Sequence, residues 1–208
     1  MMREYGLTRV DGPAAGAWLL DRTGRDRAVG DLMARGFDAY VRINHHETPA
    51  GALPLAYLET MVRYLGPVTP GRKCLAAFWA GWAWLHGAPM NLPMDRGHGD
   101  NAARPGPGRR RFSRVHPSDS YSDSATLEFP HRAFSVYSGL LEAVSALARR
   151  APSGQSWSPN LWWSADHNWM SVTDIDLSET IVGGPEQLIA TLIADPMLLA
   201  SRTAATNC

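Results

Sequence analysis

The sequence predicts an α+β fold in one domain: an antiparallel or mixed sheet, about three packing helices and one long irregular loop. Segments whose apolar residues recur every second position are interleaved with segments of helical period. Four of the eight tryptophans (Trp157, Trp162, Trp163, Trp169) fall within thirteen residues, and side chains of that size are mostly interior when they cluster. At 208 residues the chain can bury a sizeable core without a second domain.

Residues 1–16 carry little pattern beyond a Gly12-Pro13 turn, and the apolar run 17–20 suits a strand or the start of a helix. Val29, Leu32 and Met33 stand at helical spacing with Gly36 placed to end a short helix. Residues 37–43 (FDAYVRI) alternate, with Phe37, Ala39, Val41 and Ile43 facing one way, which predicts a strand. Leu55, Leu58, Met61, Val62 and Leu65 form one stripe of an amphipathic helix, Leu55–Leu65, stopped by Gly66-Pro67. Residues 74–85 (CLAAFWAGWAWL) are almost uncharged and therefore interior, but their periodicity leaves strand and helix both open. An aromatic ligand pocket there is the sharper reading and plain core the expected one.

Residues 87–123 lose all apolar periodicity and read as a flexible Pro/Gly/Arg-rich loop or insertion. Order returns with strand-like pieces on either side of Pro130, the second at 133–137, and a helix at 140–148. Ser158-Pro159-Asn160 reads as a turn or extended lead-in with a strand to follow. Residues 169–175 and 180–182 then predict a hairpin with acidic residues near its turn. Gly183-Gly184-Pro185 leads into the helix Glu186–Ala194, whose Leu188, Ile189, Leu192 and Ile193 face the hairpin.

Lysine plus arginine and aspartate plus glutamate number 20 each, so the balance gives no argument for nucleic acid or an acidic membrane. The charge is locally polarised: six arginines face two aspartates over 95–114, and six acids face one arginine over 164–208. Two cysteines, Cys74 and Cys208, make a poor disulfide framework, which suits a reducing cytoplasm. The N-terminus lacks the layout of a signal peptide and no apolar run reaches membrane-spanning length, so a cytoplasmic protein is expected.

No complete catalytic, nucleotide or metal motif is present. His45-His46-Glu47 offers metal-ligand chemistry, but neighbouring histidines at a strand end point to opposite faces and seldom share an ion, so no metal is assigned. The glycines at 97–99 and 106–108 lack the strand-to-helix context and the Lys-Ser/Thr pair of a phosphate loop. Arg109, Arg110 and Arg111 beside Phe112 could touch phosphates, yet without a nucleic-acid fold a solvated loop is the better reading. No serine lies in a G-x-S-x-G elbow.

The order of GFDAYVRI (36–43), LEFPHRAFSVYSGLL (127–141), SPNLWW.AD..W (158–169) and VTDIDLSETIVGG (172–184), closed by a helix that reaches Ala-Asp-Pro at 194–196, resembles a group of uncharacterised actinobacterial proteins of similar length. Its members usually carry proline where Ser164 stands, arginine at His167 and glutamate at Asp174. The resemblance implies a shared fold and transfers no catalytic residue.

Two function classes follow. The first is a cytoplasmic binding or interaction module, immunity-like or regulatory, covering a partner with a Trp-rich and acidic face. Its candidate residues are Trp162, Trp163, Asp166, His167, Asp174, Asp176 and Glu179. The alternative is a hydrolase or metal-dependent enzyme that divides acid and base roles among Asp174, Asp176 and Glu179 with a histidine from His45, His46, His116 or His167, with Asp174 and Asp176 on one strand face. No cofactor is implied. The candidate partners are another protein or a second copy of the chain.

Overall fold

The computed structural model describes residues 1–23, 32–45, 50–86, 125–130, 132–152 and 155–204. The chain divides into two compact units, one of Met1–Gly81 with Ser124–Cys208 and one of Trp82–Asp123. In the second, the described part is a 3-10 turn at Ala83–His86; the Pro/Gly/Arg-rich segment 87–123 lies outside the described residues.

The first unit is α+β. Its strands are β1 (Thr8–Arg9), β2 (Ala39–Asn44), β3 (Lys73–Trp79), β4 (Leu127–Phe129), β5 (Arg132–Leu140), β6 (Leu161–Ser164), β7 (Met170–Thr173), β8 (Glu179–Gly184) and β9 (Leu199–Thr203), with helices α1 (Gly12–Leu20), α2 (Leu55–Leu65), α3 (Leu141–Ala148) and α4 (Glu186–Ala194). Among the described residues these nine strands join one antiparallel sheet in the order β1-β5-β3-β6-β7-β8-β2-β9, with β4 also on β5.

Helices cover both faces, which explains the weak alternation of several strands. On one face Ala77, Phe134, Val136, Leu161, Trp163, Met170, Val172, Ile181 and Tyr40 meet Leu19 of α1 and the segment Leu32, Met33 and Ala34. The other face carries α2, α3 and α4 through Leu58, Met61, Leu65, Leu141, Val144, Leu188, Ile189 and Leu192, all buried. Tyr40, expected to face away from a single core, is buried because the second face is covered too; its hydroxyl donates to the Ala34 carbonyl (3.2 Å) and accepts from the Phe37 N–H (3.1 Å). The uncertain apolar run is strand as far as Trp79, flanked by β5 and β6.

Two expectations change. Residues 12–16, expected to carry little structure, are helical and continuous with 17–20, for which helix was one of the two readings: Asp11 caps the Ala14 N–H (3.3 Å) and Pro13 sits in the first turn. Gly12 is required there, since a Cβ would lie 2.3 Å from the Leu127 main-chain nitrogen, and Gly16 leaves room for the Leu127 side chain. The helix ending at Gly36 is not found over 32–36, where the chain bends and Gly36 takes φ 96°; Val29 lies outside the described residues.

Gly51 fixes the loop after β2. Its φ is +79° and a Cβ would stand 2.7 Å from the Ile175 Cα, while its N–H donates to the Leu177 carbonyl at 3.0 Å. Gly51→Ala therefore combines a left-handed backbone with overlap against main chain and should cost about 2 kcal/mol or more in urea unfolding. A cost below about 0.5 kcal/mol would mean that the loop shifts freely.

Candidate functional site

Trp162 and Trp163 are neighbours on β6, so they point to opposite faces, and both are buried, at 1% and 0% exposure. Trp162 meets Trp169 edge-on at 5.3 Å, and the Trp169 indole N–H donates to the Thr69 hydroxyl at 2.8 Å. Trp163 packs on the α1 side against Trp18 at 6.3 Å. The expected Trp-rich binding face is thus interior, because a strand inside a sheet covered on both sides buries both of its side-chain rows.

The acidic candidates divide between the two ends of the β6-β7-β8 meander. Asp166 and His167 occupy the β6–β7 turn, whereas Asp174 and Asp176 belong to the β7–β8 connection and Glu179 is the first residue of β8. The four residues of β7 keep the groups about 13 Å apart. His167 therefore cannot serve Asp174 or Asp176. Its ring stacks on Trp18 instead (4.2 Å, 15° between planes), and its pKa is held below the ordinary imidazole value, first by partial burial and then by Arg22.

Asp174 and Asp176 do not share a strand face, since β7 ends at Thr173. Asp174 leaves the strand on the α1 side, where its carboxylate accepts the Asp176 N–H at 2.8 Å and pairs with Arg132 at the start of β5. Arg132 also donates to Asp176 at 2.8 Å. Asp174 is 3% exposed and Asp176 72% exposed, so the arginine closes off the buried carboxylate and holds the other at the surface. Nothing in the sequence announced Arg132, more than forty residues away.

His45 lies at the same end of the sheet but on the face that carries α2, α3 and α4. Its Nε2 is 3.0 Å from the Thr180 hydroxyl, which is 2.8 Å from that of Thr173, and its ring meets Tyr57 of α2 edge-on. His46 and His116 lie outside the described residues. Among the described residues no group of three His, Cys, Asp or Glu side chains could hold a metal ion. Asn160 ties this end together: its Oδ1 accepts the Trp79 N–H (2.9 Å), and its Nδ2 donates to the carbonyls of Gly51 and Thr173 (3.2 Å each). Cys74, in β3, is buried, which pushes its thiol up to about 12, so it carries no thiolate chemistry near neutral pH.

The accessible part of this end is the corner formed by β8, β2 and β9. Paired positions run across one face of the sheet as Val136, Ala77, Leu161, Val172, Ile181, Arg42 and Ser201. The row is apolar where α1 and residues 32–34 lie over it and becomes polar at β2 and β9. One row outward, Asn44 pairs with both Glu179 and Leu199, and Arg42 approaches Glu179 at 3.5 Å. Leu199 and Met197 are 59% and 55% exposed, the most exposed of the described large apolar side chains, and Leu177 adds 36% from the β7–β8 connection. This mixed apolar and charged corner borders β9, which has β2 on one side and no strand on the other among the described residues. No helix among the described residues is long and apolar enough to cross a membrane. No protein-family model matches the chain, and neither the curated proteins nor the solved structures contain a match to it.

Proposed function

We propose that the protein is a cytoplasmic protein-binding module, immunity-like or regulatory, that takes an extended segment of a partner protein as an added strand beside β9. The observation that carries this reading is that β9 has a strand on one side only among the described residues and is flanked by the two most exposed of their large apolar side chains, Met197 and Leu199. An open edge offers main-chain groups that only another strand satisfies along its length, and side chains beside it supply selectivity. Edges that must stay single are commonly blunted by lysine, proline or a bulge. β9 has neither lysine nor proline, and Arg202, its one charged residue, is engaged by Glu186 at 2.9 Å. The other border of the sheet is less open, because β1 and β4 share the flank of β5.

The test places a photo-crosslinking residue at Leu199 in the native host, with Leu20 on α1, also exposed, as the control position. A discrete protein adduct from position 199 alone is expected. Leu199→Lys should then weaken binding of that purified partner about tenfold, or about 1.4 kcal/mol, without changing the fold. A concentration-dependent doubling of mass that Leu199→Lys abolishes would identify a second copy as the occupant instead. No adduct at 199, or the same adducts from both positions, would overturn the reading.

A further inference from the structure

We propose that Trp18 and His167 form an acid-releasable clasp: the stacked pair holds the C-terminal turn of α1 against the β6–β7 hairpin while the imidazole is neutral, and lets go when it is protonated. The clasp is independent of the β9 edge and lies at the opposite end of the sheet.

The geometry is that of an aromatic pair under constraint. The two rings are nearly parallel, 15° apart with centroids at 4.2 Å. His167 takes φ 61°, a conformation that a non-glycine residue keeps only where its surroundings hold it. The hairpin itself is held by groups that do not titrate near neutrality. The Ser164 hydroxyl accepts the N–H groups of Asn168 (2.8 Å) and Trp169 (3.2 Å), and the Asn168 side chain donates to the Val68 carbonyl (3.3 Å). Protonation therefore acts on the contact with α1 and leaves the turn formed.

α1 is fixed unevenly. Its start is tied to the segment before β4 by the Gly12 N–H on the Ala125 carbonyl (2.9 Å), with Gly16 packed closely on Leu127. Its end is held by Leu19 in the core, by the Arg35 N–H on the Arg22 carbonyl (2.9 Å) and by the Trp18 stack. The charged groups acting on His167 are Arg22, from the segment after α1, and its neighbour Asp166. The Arg22 guanidinium already lies 5.9 Å from the Trp18 ring, so a protonated imidazole would bring a second cation to that ring. A lone cation would be attracted there. The partial burial of His167, and after it Arg22, outweigh the pull of Asp166, which is why His167 binds its proton less readily than a free imidazole.

The direction of the pH effect follows. A histidine with a depressed folded value is less protonated when clasped than when released, so the clasp contributes fully above about pH 6.5 and is lost as pH falls through the lower folded value. The test is histidine NMR titration with amide exchange, corrected for intrinsic rates. The resonance missing in His167→Asn should titrate below about 6.5 in the wild type and return toward it in Trp18→Leu. Protection of the amides of residues 17–23 should fall about tenfold between about pH 7.5 and pH 5 in the wild type. In His167→Asn it should already be low at the higher pH, and asparagine suits the left-handed backbone, so this variant is expected to fold. Titration at or above the ordinary value would overturn the clasp. So would wild-type protection of residues 17–23 in His167→Asn at neutral pH.

Discussion

Asn160→Asp is expected to lower the unfolding free energy by about 4 kcal/mol, a large share of the total for a domain of this size. Asn160 is 1% exposed, and its amide serves three main-chain groups at once: the Trp79 N–H, the Gly51 carbonyl and the Thr173 carbonyl. Those groups belong to β3, to the loop after β2 and to β7, so one side chain closes three separate segments over the end of the sheet. Aspartate keeps the acceptor toward Trp79 but turns a carboxylate oxygen toward two carbonyls and buries a charge. Asn160→Ala removes the same bonds without adding charge and should cost about 3 kcal/mol. The check is urea unfolding with unchanged m-values. A loss of less than about 1 kcal/mol in both variants would show that the three segments hold together without the amide.

Arg132→Ala should cost about 3 kcal/mol, because it leaves the buried Asp174 carboxylate with the Asp176 N–H as its remaining donor in this cluster. Asp176→Ala removes the other, exposed arm of the fork and should change stability by no more than about 0.5 kcal/mol. Arg132→Ala combined with Asp174→Asn should recover part of the loss, since the neutral amide does not carry a buried charge. If Arg132→Ala were as mild as Asp176→Ala, the pair would be a surface contact rather than the internal tie of the β7–β8 connection. The same series bears on the enzyme alternative: a carboxylate closed off by arginine and main chain is a structural group, whereas acid–base work requires one that can reach a reacting proton.

How far the sequence could be read depended on which faces each element presents. α2 and α4 were legible to the residue because each has a polar side in solvent and so keeps a helical period, and α3 to within one because Leu141, Val144 and Leu147 recur at helical spacing. The hairpin of β7 and β8 was legible from its β-branched residues and the turn chemistry between them. α1 was not, because its glycines break the propensity signal. Those glycines are there for the approach of residues 125–127, a contact that exists only after folding. β9 was missed for a different reason: LASRT is a half-exposed edge with no apolar alternation. Asp174 and His167 were legible as unusual residues, but their partners, Arg132 and Trp18, come from distant segments.

The sequence by itself determined the α+β class, the helices with one wet face, and the interior destiny of a tryptophan cluster too large to leave in water. Tertiary structure decided the rest. It sent Trp162 and Trp163 to opposite sides of a strand covered on both faces and placed Asp166 and His167 at the far end of β7 from Asp174 and Asp176. Among the described residues it also left β9 with a strand on one side only. The physical reason is that a strand's two-residue period says which side chains face together, but only the pairing register and the layers above and below say whether that face meets solvent, a helix or a distant arginine.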